Sequence, residues 1–287
     1  MQELYEQYKG LLFNLAYQLT GSVTDAEDAV QDVFIKIYDV PPEKLAQPKA
    51  YLCKMVTNRC RDLHKTARRK REQYFGEWLP EPFLSSGQDA MEEVVQDDLL
   101  SYAMLVLLER LSPAERTVFV LREALGFEFQ EIAEQIEKSE VNCRKLLSRA
   151  RGKMGIDAEE LIRPEAAGEA WIHEFMNALK QGNLNQILTM LDQDVVLVSD
   201  GGGKVTAAAQ PIATRELVAQ FLLGPLRAAA SLEGASIEVV HMNEQPAIVI
   251  RTREGINTVA MVHVEGEVIR NLYVVRNPDK LQHVSGR

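Results

Sequence analysis

The sequence is poor in the features that mark secreted, zinc-binding and membrane-spanning proteins. It has three cysteines in 287 residues, and none of them forms a CxxC pair. Such a set favours reduced thiols over a disulfide or zinc framework. No apolar run approaches the roughly 20 residues that a membrane-spanning helix needs. The N-terminal MQELYEQYKG also lacks the basic and apolar segments of a secretory signal, so we expect a cytoplasmic protein.

Catalytic and metal-binding patterns are equally scarce. His173, His241 and His263 are widely spaced and lack the spacing of metal ligands, so each is expected to be structural. There is no internal repeat and no low-complexity tract. We therefore expect no metal, no cofactor and no enzymatic activity.

What the sequence does have is basic charge concentrated in two places. The net charge is -10, yet residues 49–73 hold nine basic side chains against two acidic ones. Residues 138–153 hold six against one. Two basic patches within an acidic chain predict two separate contacts with a polyanion. A solvated charge run is the plainer alternative for each patch.

The first 73 residues read as three helices. Apolar periodicity predicts a helix over 4–19, and Thr24-Asp25-Ala26-Glu27 has the spacing of a capping box that would start a second helix before Pro41-Pro42. A third helix is predicted over 48–71. Its apolar stripe includes Cys53 and Cys60, which we interpret as core residues.

A proline- and glycine-containing linker over 74–98 precedes a second helical segment over 99–156. Ser112-Pro113-Ala114-Glu115 predicts a helix start, and residues 129–154 have the pattern of a helix-turn-helix. Ser139 is expected to cap the second of its helices. The residues predicted to face outward, toward base edges and phosphates, are Asn142, Arg144, Lys145, Ser148 and Arg149.

The composition changes beyond residue 165. Helices are predicted over 169–180, 183–191 and 215–223, followed by strands over 237–240, 247–251, 258–264 and 268–275. This order predicts an α+β domain with a curved antiparallel sheet over 165–287. The whole chain is thus expected to be multidomain, with two all-α domains ahead of an α+β domain.

The two helical segments resemble sigma regions two and four of the extracytoplasmic-function (ECF) sigma factors. TDAEDAVQDVFIKIY followed by PKAYLCKMVTNRCRDLHKTARRKR carries the resemblance to region two. LLERLSPAERTVFVLREALGFEFQEIAEQIEKSEVNCRKLLSRAR carries the resemblance to region four. Glu137 stands where the family usually has glycine, and a left-handed residue with a side chain costs roughly 1–2 kcal/mol. A modified turn is therefore expected.

The resemblance implies RNA polymerase core and promoter DNA as partners. The residues that it assigns to core polymerase are Asp25, Asp28, Gln31, Asp32 and Ile35. Those that it assigns to the melted −10 element are Lys49, Asn58, Arg59, Arg61, Lys65 and Arg68, together with the loop 44–49. The helix that begins at Ser139 should read the −35 element.

The C-terminal segment resembles a SnoaL-like domain of the NTF2-like superfamily. Three motifs match the sigma factor subgroup with this extension: WLPEP (Trp78, Leu79, Pro80 and the next two residues), DGGGK (Asp200, Gly201, Gly202, Gly203, Lys204) and NPDKL (Asn277, Pro278, Asp279, Lys280, Leu281). The resemblance implies control by the attached domain instead of a separate anti-sigma protein. A small molecule in the pocket of the NTF2-like fold is a candidate further partner.

These motifs lead to the hypothesis of an intramolecular switch, in which the C-terminal domain grips region two and the WLPEP linker. Trp78, an aromatic residue in a polar linker, is the expected docking anchor. Two alternatives stay open. One is a cyclase- or isomerase-type enzyme fused to a DNA-binding module, and the other is a ligand-sensing repressor that uses the helix-turn-helix alone.

Overall fold

The computed structural model describes residues 2–38, 40–41, 45, 47–72, 74–84, 100–155, 168–230 and 234–285. It divides into two compact units. The first comprises 1–72, 86–100 and 104–162, and the second comprises 73–85, 101–103 and 163–287. The segment 73–85, which contains the WLPEP motif, therefore groups with the C-terminal part of the chain.

Three helices open the first unit: α1 (Gln2–Thr20), α2 (Val23–Ile37) and α3 (Pro48–Glu72). They pack pairwise around Leu12, Leu15, Val33 and Val56, which are all buried. Cys60 belongs to this core, and its burial raises the pKa of the thiol to about 12. Cys53 and Cys60 are both buried in this core, as predicted.

The second helical segment contains α4 (Tyr102–Leu108), α5 (Pro113–Phe119), α6 (Phe129–Ile136) and α7 (Glu140–Met154). It belongs to the first unit from residue 104 onward, and the first two residues of α4 group with the second unit. A π-helical turn, Val120–Ala124, extends α5. The predicted capping box of α5 is confirmed, because Ser112 and Glu115 satisfy each other's backbone N–H groups. The capping box predicted at Thr24 is wrong. Ser22 caps α2 instead, accepting a hydrogen bond from the N–H of Asp25.

The second unit contains four helices, six strands and the linker segment among its described residues. Its helices are α8 (Glu169–Gln181), α9 (Leu184–Met190), α10 (Arg215–Ala230) and α11 (Pro278–Ser285). Its strands are β1 (Leu191–Asp200), β2 (Ile212–Ala213), β3 (Ser236–Met242), β4 (Gln245–Thr252), β5 (Gly255–Glu265) and β6 (Val268–Val275).

The strands form one sheet in the order β2-β1-β6-β5-β4-β3. Neighbouring strands are antiparallel except β1 and β6, which run parallel, so the sheet is mixed. Apolar side chains from α8–α10, such as Phe175, Ile187 and Val218, pack against Ile248 and Leu272 on one face of the sheet. The predicted α+β architecture is confirmed. The predicted antiparallel sheet is corrected to a mixed one, because β1 runs parallel to β6. The sequence analysis placed the first residue of β1 at the end of a helix over 183–191 and predicted no strand after it.

Within the described part of the chain, no helix is both long and apolar enough to cross a membrane.

Candidate nucleic-acid interface and linker network

Helix α7 has a buried face and a basic exposed face. Cys143, Leu147 and Ala150 are buried, which fixes the rotation of the helix. Ser139 caps its N-terminus, since its Oγ accepts a hydrogen bond of 3.3 Å from the N–H of Asn142. The residues predicted to face DNA are all exposed: Ser139, Asn142, Arg144, Lys145, Ser148 and Arg149. The face therefore offers cations, a side-chain amide and hydroxyls in one helical row.

The turn between α6 and α7 keeps its left-handed residue although it lacks glycine. Glu137 has φ 57° and ψ 48°. The N–H of Glu137 and that of Lys138 both hydrogen-bond to the carbonyl oxygen of Ala133, which closes the end of α6. The helix-turn-helix geometry is thus retained at the cost of a strained residue.

An aromatic ring orients one arginine of the exposed face. The guanidinium carbon of Arg144 lies 4.2 Å from the ring centroid of Phe129, and that of Arg122 lies 5.0 Å from it. Arg144 also pairs with Glu140 at 3.3 Å, and its side chain remains 60% exposed. Because the ring and the carboxylate restrict the guanidinium, Arg144 is partly ordered before any DNA binds.

The −10 residues predicted on α3 show a range of exposure. Lys49 and Arg61 are exposed, whereas Asn58 and Arg59 are half-buried. The side chains of Lys65 and Arg68 lie outside the described residues, and so does most of the loop 44–49.

Arg59 connects two predicted sites, because its Nε lies 2.6 Å from Oδ2 of Asp32 on α2. Arg59, predicted to contact DNA, thus orients Asp32, which is predicted to contact polymerase. On α2, Asp28, Gln31 and Ile35 are exposed and Asp25 is half-buried. Ile35 is 69% exposed, which is unusual for isoleucine in a folded domain.

The helices of the two sigma-like segments also contact each other within the first unit. Nε of Arg116 on α5 donates to the carbonyl oxygen of Gln18 on α1 at 2.7 Å, and Arg116 Nη1 pairs with Glu109 at 2.6 Å. Nζ of Lys54 on α3 donates to the carbonyl oxygen of Glu134 on α6. Arg116 is only 2% exposed, so its bonds form in a largely dry environment, whereas the bond from Lys54 is exposed to solvent.

In the second unit, the three predicted motifs meet at Asp200, at the end of β1. Its Oδ1 accepts from the Tyr74 hydroxyl at 2.5 Å and from the N–H of Gly202 at 3.0 Å. Its Oδ2 accepts from the N–H of Leu79 at 2.9 Å and from Nζ of Lys280 at 2.7 Å. The carboxylate is fully buried. Burial and the bond to Asp200 raise the pKa of Tyr74 far above its ordinary value.

Lys280 is the counterion of Asp200 and a second attachment for the linker. Its Nζ donates to the carbonyl oxygen of Leu79 at 2.5 Å and lies 3.6 Å from the ring centroid of Trp78. Leu79 is fully buried, whereas Trp78 is half-buried. The deepest anchor of the linker is therefore Leu79, and Trp78 covers the ammonium group.

The glycines of the DGGGK motif permit close backbone packing. Gly202 has φ +59°, and a Cβ atom there would lie 2.4 Å from Nδ2 of Asn277 in the NPDKL motif. Asn277 Nδ2 in turn donates to the Tyr74 hydroxyl at 2.8 Å. Lys204 and Asp279 pair at 2.6 Å, but both side chains are more than half exposed, so their pair contributes little.

Sequence reasoning missed several residues that hold the linker. The N–H of Phe83 donates to Asn243, and Nε2 of His283 lies 2.7 Å from the carbonyl oxygen of Pro82. The Tyr102 hydroxyl donates to the carbonyl oxygen of Pro80 at 2.6 Å, in a buried position. Only Tyr74 carried a sequence signal, its place just before WLPEP. The others depend on pairings between residues more than 20 positions apart.

His173 and His241 are exposed, and His263 Nδ1 lies 3.1 Å from Asn271 Oδ1. Among the described residues, no group of three or more histidine, cysteine, aspartate or glutamate side chains is arranged to hold a metal ion.

The helical part of the chain matches two known protein families. The family model for Sigma-70 region 2 matches residues 4–70, and that for Sigma-70 region 4 matches residues 101–154. These matches define the helical part as that of a sigma-70-type transcription factor.

Similar proteins extend the match into the C-terminal domain. The ECF RNA polymerase sigma factor SigJ of Mycobacterium tuberculosis is 34% identical over 225 residues, which cover 77% of this chain and 71% of SigJ. A crystal structure of the same organism's SigJ has a TM-score of 0.76 at 27% identity and covers 99% of each chain. The probable ECF sigma factor SigI of M. tuberculosis is 29% identical over 268 residues, 85% of this chain and 92% of SigI. The chain belongs to the ECF RNA polymerase sigma factors, and so acts in transcription initiation with RNA polymerase core and promoter DNA.

Proposed function

We propose that the C-terminal domain controls this sigma factor in cis by holding the linker between regions two and four. The proposed extents are 1–73 for region two, 74–98 for the linker, 99–156 for region four and 165–287 for the regulatory domain. In region two, α2 would bind polymerase and α3 the −10 element. In region four, α7 would bind the −35 element. The exposed basic face of α7 and the exposed Ile35 on α2 support these roles.

The observation that carries the proposed control is the buried pair of Asp200 and Lys280. Both charged groups bond to the backbone of Leu79, one to its N–H and the other to its carbonyl oxygen. The N–H and the carbonyl group of one linker residue are thus both bonded to a buried ion pair. Such bonds are stronger than neutral ones, and leaving either charge unpaired in a buried site is costly.

Holding this segment constrains both neighbouring regions through chain connectivity. The end of region two leads directly into Tyr74, and Tyr102, at the start of α4, donates to the linker carbonyl of Pro80. Both ends of the connection are therefore attached to the regulatory domain. Releasing them would remove the constraint that the regulatory domain adds to the direct contacts between regions two and four, and a promoter fixes the distance between these regions.

Control in cis requires no separate anti-sigma protein. A ligand, or polymerase itself, would shift the equilibrium if its affinity differs between the held and released states. We place the protein in the cytoplasm, where RNA polymerase and promoter DNA are found. Its role would be non-catalytic.

Promoter-dependent run-off transcription with sigma-free core polymerase tests the proposal. We expect transcripts with the full chain and a changed yield with a chain that ends at residue 160. Equal yields from both forms would contradict control by the C-terminal domain. No transcript and no core binding by either form would contradict the assignment of α2 and α3.

The −35 role of α7 has its own test in the salt dependence of promoter binding. Replacing Lys145 or Arg149 by alanine should weaken binding on all duplexes and lower the slope of log K against log salt by about 1. Glu134→Ala, on an exposed face of α6, is the matched control. An unchanged slope in both lysine and arginine variants would contradict phosphate contact by this helix.

A further inference from the structure

The recognition helix exposes an apolar side chain near its N-terminus. Val141, the second residue of α7, is 62% exposed. The inward stripe of the helix is formed by Cys143, Leu146 and Leu147 instead. Packing inside the domain therefore does not explain a valine at this position. Helix propensity does not explain it either, because β-branched residues lower the stability of an exposed helical position.

The position of Val141 is well defined by the residues before it. Ser139 caps the helix and Glu137 closes the turn before it, so both ends of this turn are hydrogen-bonded. The flanking residues Glu140 and Asn142 are exposed as well. In helix-turn-helix proteins the N-terminal residues of the recognition helix contact base edges. Val141 is therefore placed among the residues nearest to the bases.

We propose that Val141 is a specificity-determining residue that contacts the C5 methyl group of a thymine in the −35 element. The proposal rests on the proposed binding of α7 to that element. Thymine is the base whose major-groove edge carries a methyl group, and apolar side chains recognise it by contact. Valine has no donor or acceptor, so it cannot read the polar edges of the other bases.

The side chains around Val141 are polar or charged and would make the other contacts with DNA. Arg144, Lys145 and Asn142 supply charge and hydrogen bonds, which bind phosphates and polar base edges. Their exposed groups would keep the helix close to the DNA whatever the sequence. The methyl contact of Val141 adds discrimination without adding charge, so its effect should not depend on salt.

Replacing thymine by uracil tests the contact directly, because uracil lacks the C5 methyl group and keeps the same polar edge. The probe is a promoter duplex selected by the holoenzyme from a library randomised in the −35 region. Each thymine is then replaced singly by uracil on either strand. For the wild-type chain we expect one position where uracil weakens holoenzyme binding about fourfold, the effect of exposing roughly one buried methyl group.

The Val141→Ala variant should lose this sensitivity, and its fold should be retained because alanine favours an exposed helix. Val141→Thr keeps one methyl group and should keep part of the effect. Selected duplexes without a thymine in the −35 region, or a uracil effect that persists unchanged in Val141→Ala, would overturn the proposal.

Lys145→Ala separates this proposal from the −35 role of α7. It should weaken binding to every duplex and leave the uracil effect in place. If Lys145→Ala has its expected effect and Val141→Ala shows no coupling to uracil, only the thymine contact is wrong. If Lys145→Ala and Arg149→Ala both leave binding unchanged, the proposed role of α7 is wrong and the thymine contact falls with it.

Discussion

At the scale of single residues, the second unit depends on a buried ion pair that also binds backbone groups. Asp200 is fully buried and Lys280 is 5% exposed. Taking two charges out of water is unfavourable unless each is paired and hydrogen-bonded. Here Asp200 accepts four hydrogen bonds, from Tyr74, Leu79, Gly202 and Lys280. Two of these four bonds come from the linker residues Tyr74 and Leu79, so the linker helps to satisfy the buried carboxylate.

Removing one member of the pair should destabilise the second unit strongly. Lys280→Met leaves the Asp200 carboxylate buried without its counterion, and the expected loss in the free energy of unfolding is about 3–5 kcal/mol. The double variant Asp200→Asn with Lys280→Met should lose less, because no buried charge remains. Urea denaturation provides the measurement. Lys204→Ala, which breaks the exposed pair with Asp279, serves as the control and should change little.

The sequence indicated part of the site around Asp200. The motifs DGGGK and NPDKL pointed to Asp200 and Asn277, and the structure brings both to the linker. Trp78 was the predicted anchor, but Leu79 is the residue that is buried, and Trp78 covers Lys280 instead. The sequence could not predict this difference. The place of Leu79 depends on its bonds to Asp200 and Lys280, which lie 121 and 201 residues away in the chain, and no local pattern in the linker encodes such pairings.

At the scale of elements, the turn of the helix-turn-helix stores strain at Glu137. Its left-handed conformation is one that glycine adopts without steric penalty. The sequence predicted a modified turn here, and the structure shows a turn of the usual geometry with an unfavourable residue in it. Packing of Ile132 and Cys143 in the domain core holds both helices in position.

Glycine at position 137 should therefore stabilise region four. For Glu137→Gly we expect a gain of about 1 kcal/mol, because relief of steric strain exceeds the greater chain entropy of glycine in the unfolded state. Thermal unfolding followed by circular dichroism measures it. Lys138→Gly, at the next position, is the control. It should give no gain, since Lys138 does not have a positive φ.

Glu115, at the start of α5, should make the folded state less stable in acid. Burial would raise the pKa of Glu115, but hydrogen bonds from Lys153 and Ser112 outweigh it and hold that pKa below its usual 4.5. A carboxyl group with a lowered pKa in the folded state stabilises the fold above its unfolded pKa. That contribution is lost as the pH falls below about 4.5.

The Glu115→Gln variant should accordingly be less stable than the wild type at pH 7, and the difference should shrink at pH 4 and below. Paired urea titrations at the two pH values provide the measurement. A difference that stays constant with pH would contradict the lowered pKa of Glu115. Glu131→Gln, whose carboxylate caps the exposed start of α6, is a matched variant for comparison.

The elements themselves were predictable where they depend on local signals. Apolar periodicity, Ser112 and Ser139 located the helices of the first unit, and turn residues located β3 to β6. Strand β1 was missed because it follows α9 without a turn signal and because its first residue, Leu191, is followed by the polar run Asp192, Gln193 and Asp194. Its parallel partner β6 lies about 75 residues later in the chain, and such non-local pairing leaves no trace in a short window of sequence.

At the scale of the whole molecule, one chain carries sigma regions two and four and a C-terminal domain that binds the linker between them. The linker segment 74–84 groups with the C-terminal domain, and so does the short segment 101–103 at the start of region four. Sequence motifs suggested this coupling through the co-occurrence of WLPEP, DGGGK and NPDKL. The bonds of Asp200 and Lys280 to Leu79 give it a physical basis.

The most direct test of this account is the rate of promoter-dependent transcription by holoenzyme that contains the full-length Asp200→Asn, Lys280→Met variant. Hydrogen exchange should first show that residues 74–84 have lost protection while β5 and β6 keep theirs. We predict a transcription rate that differs from that of the wild type by at least several-fold, with Lys204→Ala equal to the wild type. A rate equal to that of the wild type, with the linker released, would contradict control through the linker.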